Sequence, residues 1–209
     1  MANHVYFNIF VQGVSEEQFD AAIKSEEVER TYWNSDEKFT VNEIVELERQ
    51  PFMQHLNPEF DEDNYLKDSY DWYCTNVGAK WCHLEDAEDG WMRGHSAWRQ
   101  PHELVLNLVQ HLARTYDTQV SAEMTYEDEF RNFVGKSYYD SEKYEDGWDS
   151  FEGDWEEITG DDLVEMLKEE YPNLDTDDED FDWFETNEEY DINPQEELDY
   201  TLEKWWESV

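Results

Sequence analysis

The chain has 209 residues, enough to bury a real core, and its 56 Asp and Glu against 14 Lys and Arg give a formal charge of −42. So few cations exclude a surface built to bind DNA, RNA or an anionic membrane, because such binding needs clustered Lys and Arg. Disorder, the usual consequence of such charge, is opposed by a 16% aromatic content that includes 10 Trp, each ring able to bury roughly 150–250 Å².

The opening segment MANHVYFNIFVQG has no basic leader, and its apolar run is too short for a signal or a membrane span, so a soluble cytoplasmic protein is expected. Within it, residues 4–11 (HVYFNIFV) read as a buried strand followed by Gly13. Ser15 and Gln18 then make a capping box for a helix whose face is Phe19, Ala22 and Ile23. Thr40 with Glu43 predicts a second short helix through Ile44 and Leu47, closed by Pro51, and residues 57–71 read as a loop. Residues 72–81 and 91–98 are predicted to be strands joined by the turn-rich EDAEDG. Pro101 opens a helix with the stripe Leu104, Val105, Leu108 and Leu112. Residues 119–126 and 132–139 alternate as a hairpin does. This order predicts an α+β sandwich, an antiparallel sheet with helices on one face.

Acid is spread unevenly. Residues 145–209 hold 27 Asp and Glu against Lys168 and Lys204 alone, a net of −25, whereas the first 144 residues carry −17. A body over 1–145 and a strongly acidic extension over 146–209 are therefore expected. The extension still has amphipathic segments: Asp161 and Asp162 precede Leu163, Met166 and Leu167, with Pro172 ending the run. Asn193, Pro194 and Glu196 open another, faced by Leu198, Leu202, Trp205 and Trp206. Between them lies DTDDEDFDWFETNEEYD, residues 175–191, whose Phe181, Trp183, Phe184 and Tyr190 are expected to anchor it on the rest of the chain.

The runs WYCTNVGAKW (72–81), SAWRQPHELV (96–105) and MTYEDEFRNFVGKSYY (124–139) resemble the YubB-like ferredoxin-like domain proteins carried by phages and plasmids. Gly78, Lys80 and Trp81, and then Ala97, Trp98 and Pro101, match that family's pattern, whereas Ala79 departs from it. The resemblance covers residues 1–145. It implies a ferredoxin-like fold and a mobile-element origin, and it implies no catalytic residues.

Tests for chemistry fail one after another. Cys74, Cys82, His83, His95 and His102 lie near one another but lack the paired spacing of a zinc site. His102-Glu103 begins a zincin helix, and Leu106 stands where its second His belongs. An EF-hand template on Asp175, Asp177 and Glu179 meets Asp180 and Thr186 where Gly and Glu are required. Gly94-His95-Ser96 is half a nucleophile elbow, with Trp98 at the second Gly position. No enzyme, no cofactor and no metal is expected.

Charge is then the functional feature. Along duplex DNA, 42 charges correspond to about 70 Å, and carboxylates on alternate strand residues stand about 6.6–6.8 Å apart. The expectation is a nucleic-acid mimic that binds and inhibits a basic nucleic-acid-binding host protein, through Asp177, Asp178, Glu179, Asp180, Asp182, Glu185, Glu188 and Glu189. The alternative is a scaffold or virion-associated protein whose acidity serves solubility.

Overall fold

The first strand, β1 (His4–Gln12), buries Val5, Phe7, Ile9 and Val11 and turns the residues between them outward. In the computed structural model, which describes residues 3–24, 28–31, 38–41, 46–176, 181, 183, 190 and 192–209, this strand runs through the middle of a six-stranded sheet. β5 (Trp91–Ala97) pairs on one side of it and β6 (Ser121–Asp128) on the other, both antiparallel. With β4 (Cys82–Glu88), β7 (Val134–Tyr144) and β8 (Gly147–Ile158) the order across the sheet is β4-β5-β1-β6-β7-β8. Every neighbouring pair is antiparallel. A separate ribbon pairs β2 (Val28–Thr31) with β3 (Lys38–Val41).

Helices α1 (Glu16–Ile23) and α3 (His102–Tyr116) cover the face on which β1 is buried. Both reciprocal bonds of the Ser15–Gln18 capping box form, and Phe19, Ala22 and Ile23 enter the core. α3 contributes Leu104, Val105, Leu108, Val109, Leu112 and Ala113. These residues meet Phe7, Ile9, Met92, Met124 and Tyr126 in one continuous cluster.

Three predicted elements differ. Residues 72–81 do not form a strand: α2 (Ser69–Asn76) occupies the first part, and Gly78 turns the chain with φ +86 before β4 begins. Aromatic and β-branched residues favour strands on average, but that preference is a packing preference and yields to tertiary context. Here the helix lays Trp72 and Tyr73 on the main core, and the Tyr73 hydroxyl donates to Glu48 at 2.7 Å. A side chain at position 78 would sit 3.2 Å from the Glu103 amide, so the turn requires glycine on space as well as on φ. Likewise Thr40 lies in β3 and opens no helix, and Ile44 falls outside the described residues. Leu47–Arg49 and Pro51–Leu56 are 3₁₀ turns, and Pro51 begins the second of these because its fixed φ suits a first helical position. The EDAEDG turn is narrower than the sequence suggests. Only Asp89 and Gly90 take positive φ, 52° and 84°, as a two-residue hairpin turn does, and the acids before them belong to β4.

The step in acidity near residue 145 falls in the turn between β7 and β8, so the acidic segment enters as a strand of the same sheet. α4 (Gly160–Glu170) follows, capped by Thr159 and Asp162, and α5 (Pro194–Ser208) is capped by Asn193. Their apolar sides meet in a second cluster of Val134, Leu163, Leu167, Leu174, Leu198, Leu202 and Trp205. Val134 pairs with Glu127, one residue from the core-facing Tyr126, so strand alternation puts this cluster on the opposite sheet face. No helix among the described residues covers the other half of that face, over β4, β5 and β1.

This second core is expected to behave as part of the cooperative fold. Leu202 is 3% exposed, so Leu202→Ala should cost about 2–5 kcal/mol in urea unfolding. A loss below about 1 kcal/mol would show that α5 does not contribute to global stability.

Candidate functional site

Asp177, Asp178, Glu179, Asp180, Asp182, Glu185, Glu188 and Glu189, together with Phe184, lie outside the described residues. What the structure places is the frame around them. Phe181 and Trp183 make an edge-to-face contact at 5.1 Å and pack, half-buried, on the α4–α5 cluster. The Gln195 amide donates to the Trp183 carbonyl at 3.0 Å. Tyr190 meets the Tyr171 ring at 5.2 Å, and its hydroxyl accepts from the Asn173 amide at 3.0 Å. Each aromatic of the acidic stretch that the structure describes is therefore held against the frame.

Cations are spent inside this frame. Lys168 pairs with Glu165 at 3.4 Å and Lys204 with Glu170 at 3.3 Å. Arg131, at φ 52, bridges Glu127 of β6 and Asp199 of α5, which ties the β6–β7 turn to the helix. Lys136 is almost buried, donates to the Trp206 and Val209 carbonyls at 3.0 and 3.1 Å, and pairs with Glu123 at 3.3 Å. Burial alone would pull its ammonium down, but the Tyr138 hydroxyl and the Glu123 carboxylate outweigh that and hold it above the ordinary lysine value. A cation at the last carbonyls of a helix also complements its dipole. Asp162 is held below the usual carboxylate range by the Thr159 hydroxyl and amide. Between the β6–β7 turn and α5 lies a cleft of about 490 Å³ lined by Phe130, Arg131, Trp183 and Leu198 among others.

A second constellation is not evident along the chain. His4, His83 and His95 come from β1, β4 and β5 onto the uncovered half of the sheet, with ring centroids 5.2 Å (His4–His95) and 5.3 Å (His83–His95) apart. Trp81 stands 5.4 Å from His4, and Glu85 contacts His95 at 3.1 Å. Its only sequence signal is the cross-strand register, His83 opposite His95 and Tyr6 opposite His95, which a correct placement of β4 is needed to reveal. Of the five Cys and His residues grouped by sequence, His83 and His95 come together and the other three stand apart. Cys82 is buried in the core and Cys74 is exposed. His102 contacts the Tyr139 hydroxyl at 3.2 Å and Glu152 at 3.5 Å on the other face. Among the described residues no group of three or more His, Cys, Asp and Glu has the geometry to hold a metal ion, and no helix is long and apolar enough to cross a membrane.

No protein-family model, no curated protein and no solved structure matches the chain.

Burial, then the neighbouring His95, push the His83 imidazole below its ordinary value of 6.5, against the pull of Glu85. The unfolded chain therefore takes up this proton first, so stability is intact above about pH 6.5 and is lost as the pH falls toward the folded-state value. Between about pH 7.5 and 5.5 the melting temperature of His83→Gln should fall less than that of the parent. An equal or larger fall in the variant would remove His83 from the acid response.

Proposed function

We propose that this chain works by charge, as a nucleic-acid mimic that occupies the basic groove of a nucleic-acid-binding host protein. The observation that carries the reading is the anchoring of Phe181, Trp183 and Tyr190 on the α4–α5 core. A polyanion that is ordered before it binds loses less conformational entropy on binding than a solvated tail, and it can match the spacing of phosphates. The consumption of Lys168, Lys204, Arg131 and Lys136 in internal contacts leaves the outward field negative. Association by such a surface is steered by charge and weakened by salt.

The arrangement of the body supports a ferredoxin-like sandwich, and the proposed mobile-element origin rests on the resemblance of residues 72–81, 96–105 and 124–139 alone. With the β2–β3 ribbon, the 3₁₀ turns and α2 standing as an insertion between α1 and β4, its elements run β1, α1, β4, β5, α3, β6, and across the sheet the strands run β4-β5-β1-β6, which is the split βαβ arrangement expected of that fold. On this reading the body is a scaffold with no catalytic role, and the acidic segment acts in the host cytoplasm.

A competition assay tests the proposal. Fluorescent duplex DNA is bound to a basic nucleoid protein, a restriction endonuclease and a CRISPR effector, and the full-length chain is titrated into each. Displacement from at least one is expected at about 0.1 M salt and should vanish toward 1 M, where the Debye length falls from about 10 to about 3 Å. Trp183→Ala keeps every charge and should weaken displacement several-fold. If the variant competes as well as the parent, or if no target releases DNA at low salt, the acidity serves solubility and the mimic reading fails.

A further inference from the structure

β8 is the longest strand of the sheet, 12 residues, and it lies at an edge. Among the described residues no strand pairs with its outer side. An edge is the usual place to find a short or covered strand, because its unpaired amides and carbonyls can recruit another chain. Here residues 153–157 are exposed without interruption. Phe151 is 43% exposed and Trp155 59%.

The two rings serve both sides of the strand. Ser137 pairs with Trp155 and Tyr139 with Glu152, so β8 carries one extra residue at a bulge, and Phe151 and Trp155 point to opposite faces. A peptide laid along the edge would find one aromatic above the sheet and one below it. Asp149, Asp154 and Glu156 are exposed beside these rings. Two copies of β8 paired edge to edge would set carboxylate against carboxylate, which is destabilising across strands, whereas Lys or Arg opposite the same positions is stabilising.

We propose that the outer edge of β8 is a docking site for an extended basic segment of a partner protein, which joins the sheet as a seventh strand. Backbone pairing supplies the affinity, the carboxylates select Lys and Arg and reject a second copy of this chain, and Phe151 and Trp155 receive the apolar side chains between them. The inference rests on an edge that no strand among the described residues pairs with, and it stands apart from the nucleic-acid-mimic reading, which needs only a preorganised negative surface.

The test uses the full-length chain and a synthetic 12-residue peptide that alternates Lys with Val. Its control has the same sequence with alternate backbone amides N-methylated, so the charge is kept and the strand hydrogen bonds are removed. The unmodified peptide is expected to bind at low salt and to slow hydrogen exchange of the outward-facing amides of residues 149–157. Losing two or more strand hydrogen bonds should weaken the N-methylated peptide by at least about tenfold. Phe151→Ser and Trp155→Ser should each weaken the unmodified peptide. Equal binding of the two peptides would mean that charge alone holds them and would overturn the site. The site is overturned equally if those outward-facing amides are already protected in the free protein, since the edge is then occupied. Strand pairing by a chain that displaces DNA from no target would leave the edge site standing without the mimic, and displacement of DNA with indifference to N-methylation would leave the mimic without the edge site.

Discussion

Val134 and Lys136, two residues apart on one face of β7, form the junction on which the acidic segment depends. Val134 is fully buried and joins the leucines of α4 and α5, and Lys136 ends α5 by donating to its last carbonyls. The pair combines the two forces that can hold a chain of −42 together. Apolar contact is indifferent to the surrounding field, and a nearly buried ammonium gains from it. Arg131 repeats the arrangement at the other end of the helix contact, bonded to Glu127 and Asp199. Substituting either cation would remove a contact and also leave carboxylates or helix carbonyls facing one another across the junction, which is the costlier effect where water is partly excluded.

Self-repulsion destabilises a compact chain in proportion to how closely like charges are held. The fold answers by geometry. The carboxylates of β8 and of the outer sides of α4 and α5 stand at a surface where solvent screens them, while Leu163, Leu167, Leu198, Leu202 and Trp205 face inward and Met166, expected on that side from the sequence, is exposed. α4 places Asp161 and Asp162 in its first turn, where the helix dipole favours acid. Aromatic rings supply large buried area from few residues, so Phe181, Trp183 and Trp205 can close a small second core within a segment that has little other apolar surface.

How far the sequence anticipates this follows from which signals are local. The Ser15–Gln18 box, the α3 stripe and the Asn193-Pro194 start are read directly, because capping and amphipathic period are properties of a few neighbouring residues. α2 is misread because Trp72 and Tyr73 choose helix for contacts with the core and with Glu48, residues far away in the chain. β8 goes unseen for a related reason. Its first half is only half-buried where it meets α3, and residues 153–157 are exposed without inside–outside alternation, so its acids resemble a solvated linker. The histidine cluster is a register property: His4, His83 and His95 share a face only once β4, β1 and β5 are aligned.

The acids of β8 do two things at once, and this bears on how a mimic and an edge site could share one molecule. On an exposed strand, charge is the ordinary protection against edge-to-edge pairing, and like charges make that protection specific against copies of the same chain. The same charges attract any basic segment, so protection from self and selection of a partner come from one set of residues. The bulge between Ser137 and Tyr139 adds local twist there. Such twist discourages flat stacking of many strands, yet a single strand can follow it. A surface of this kind favours one partner strand at a time, and it does so with the same charge that repels a second copy of the chain.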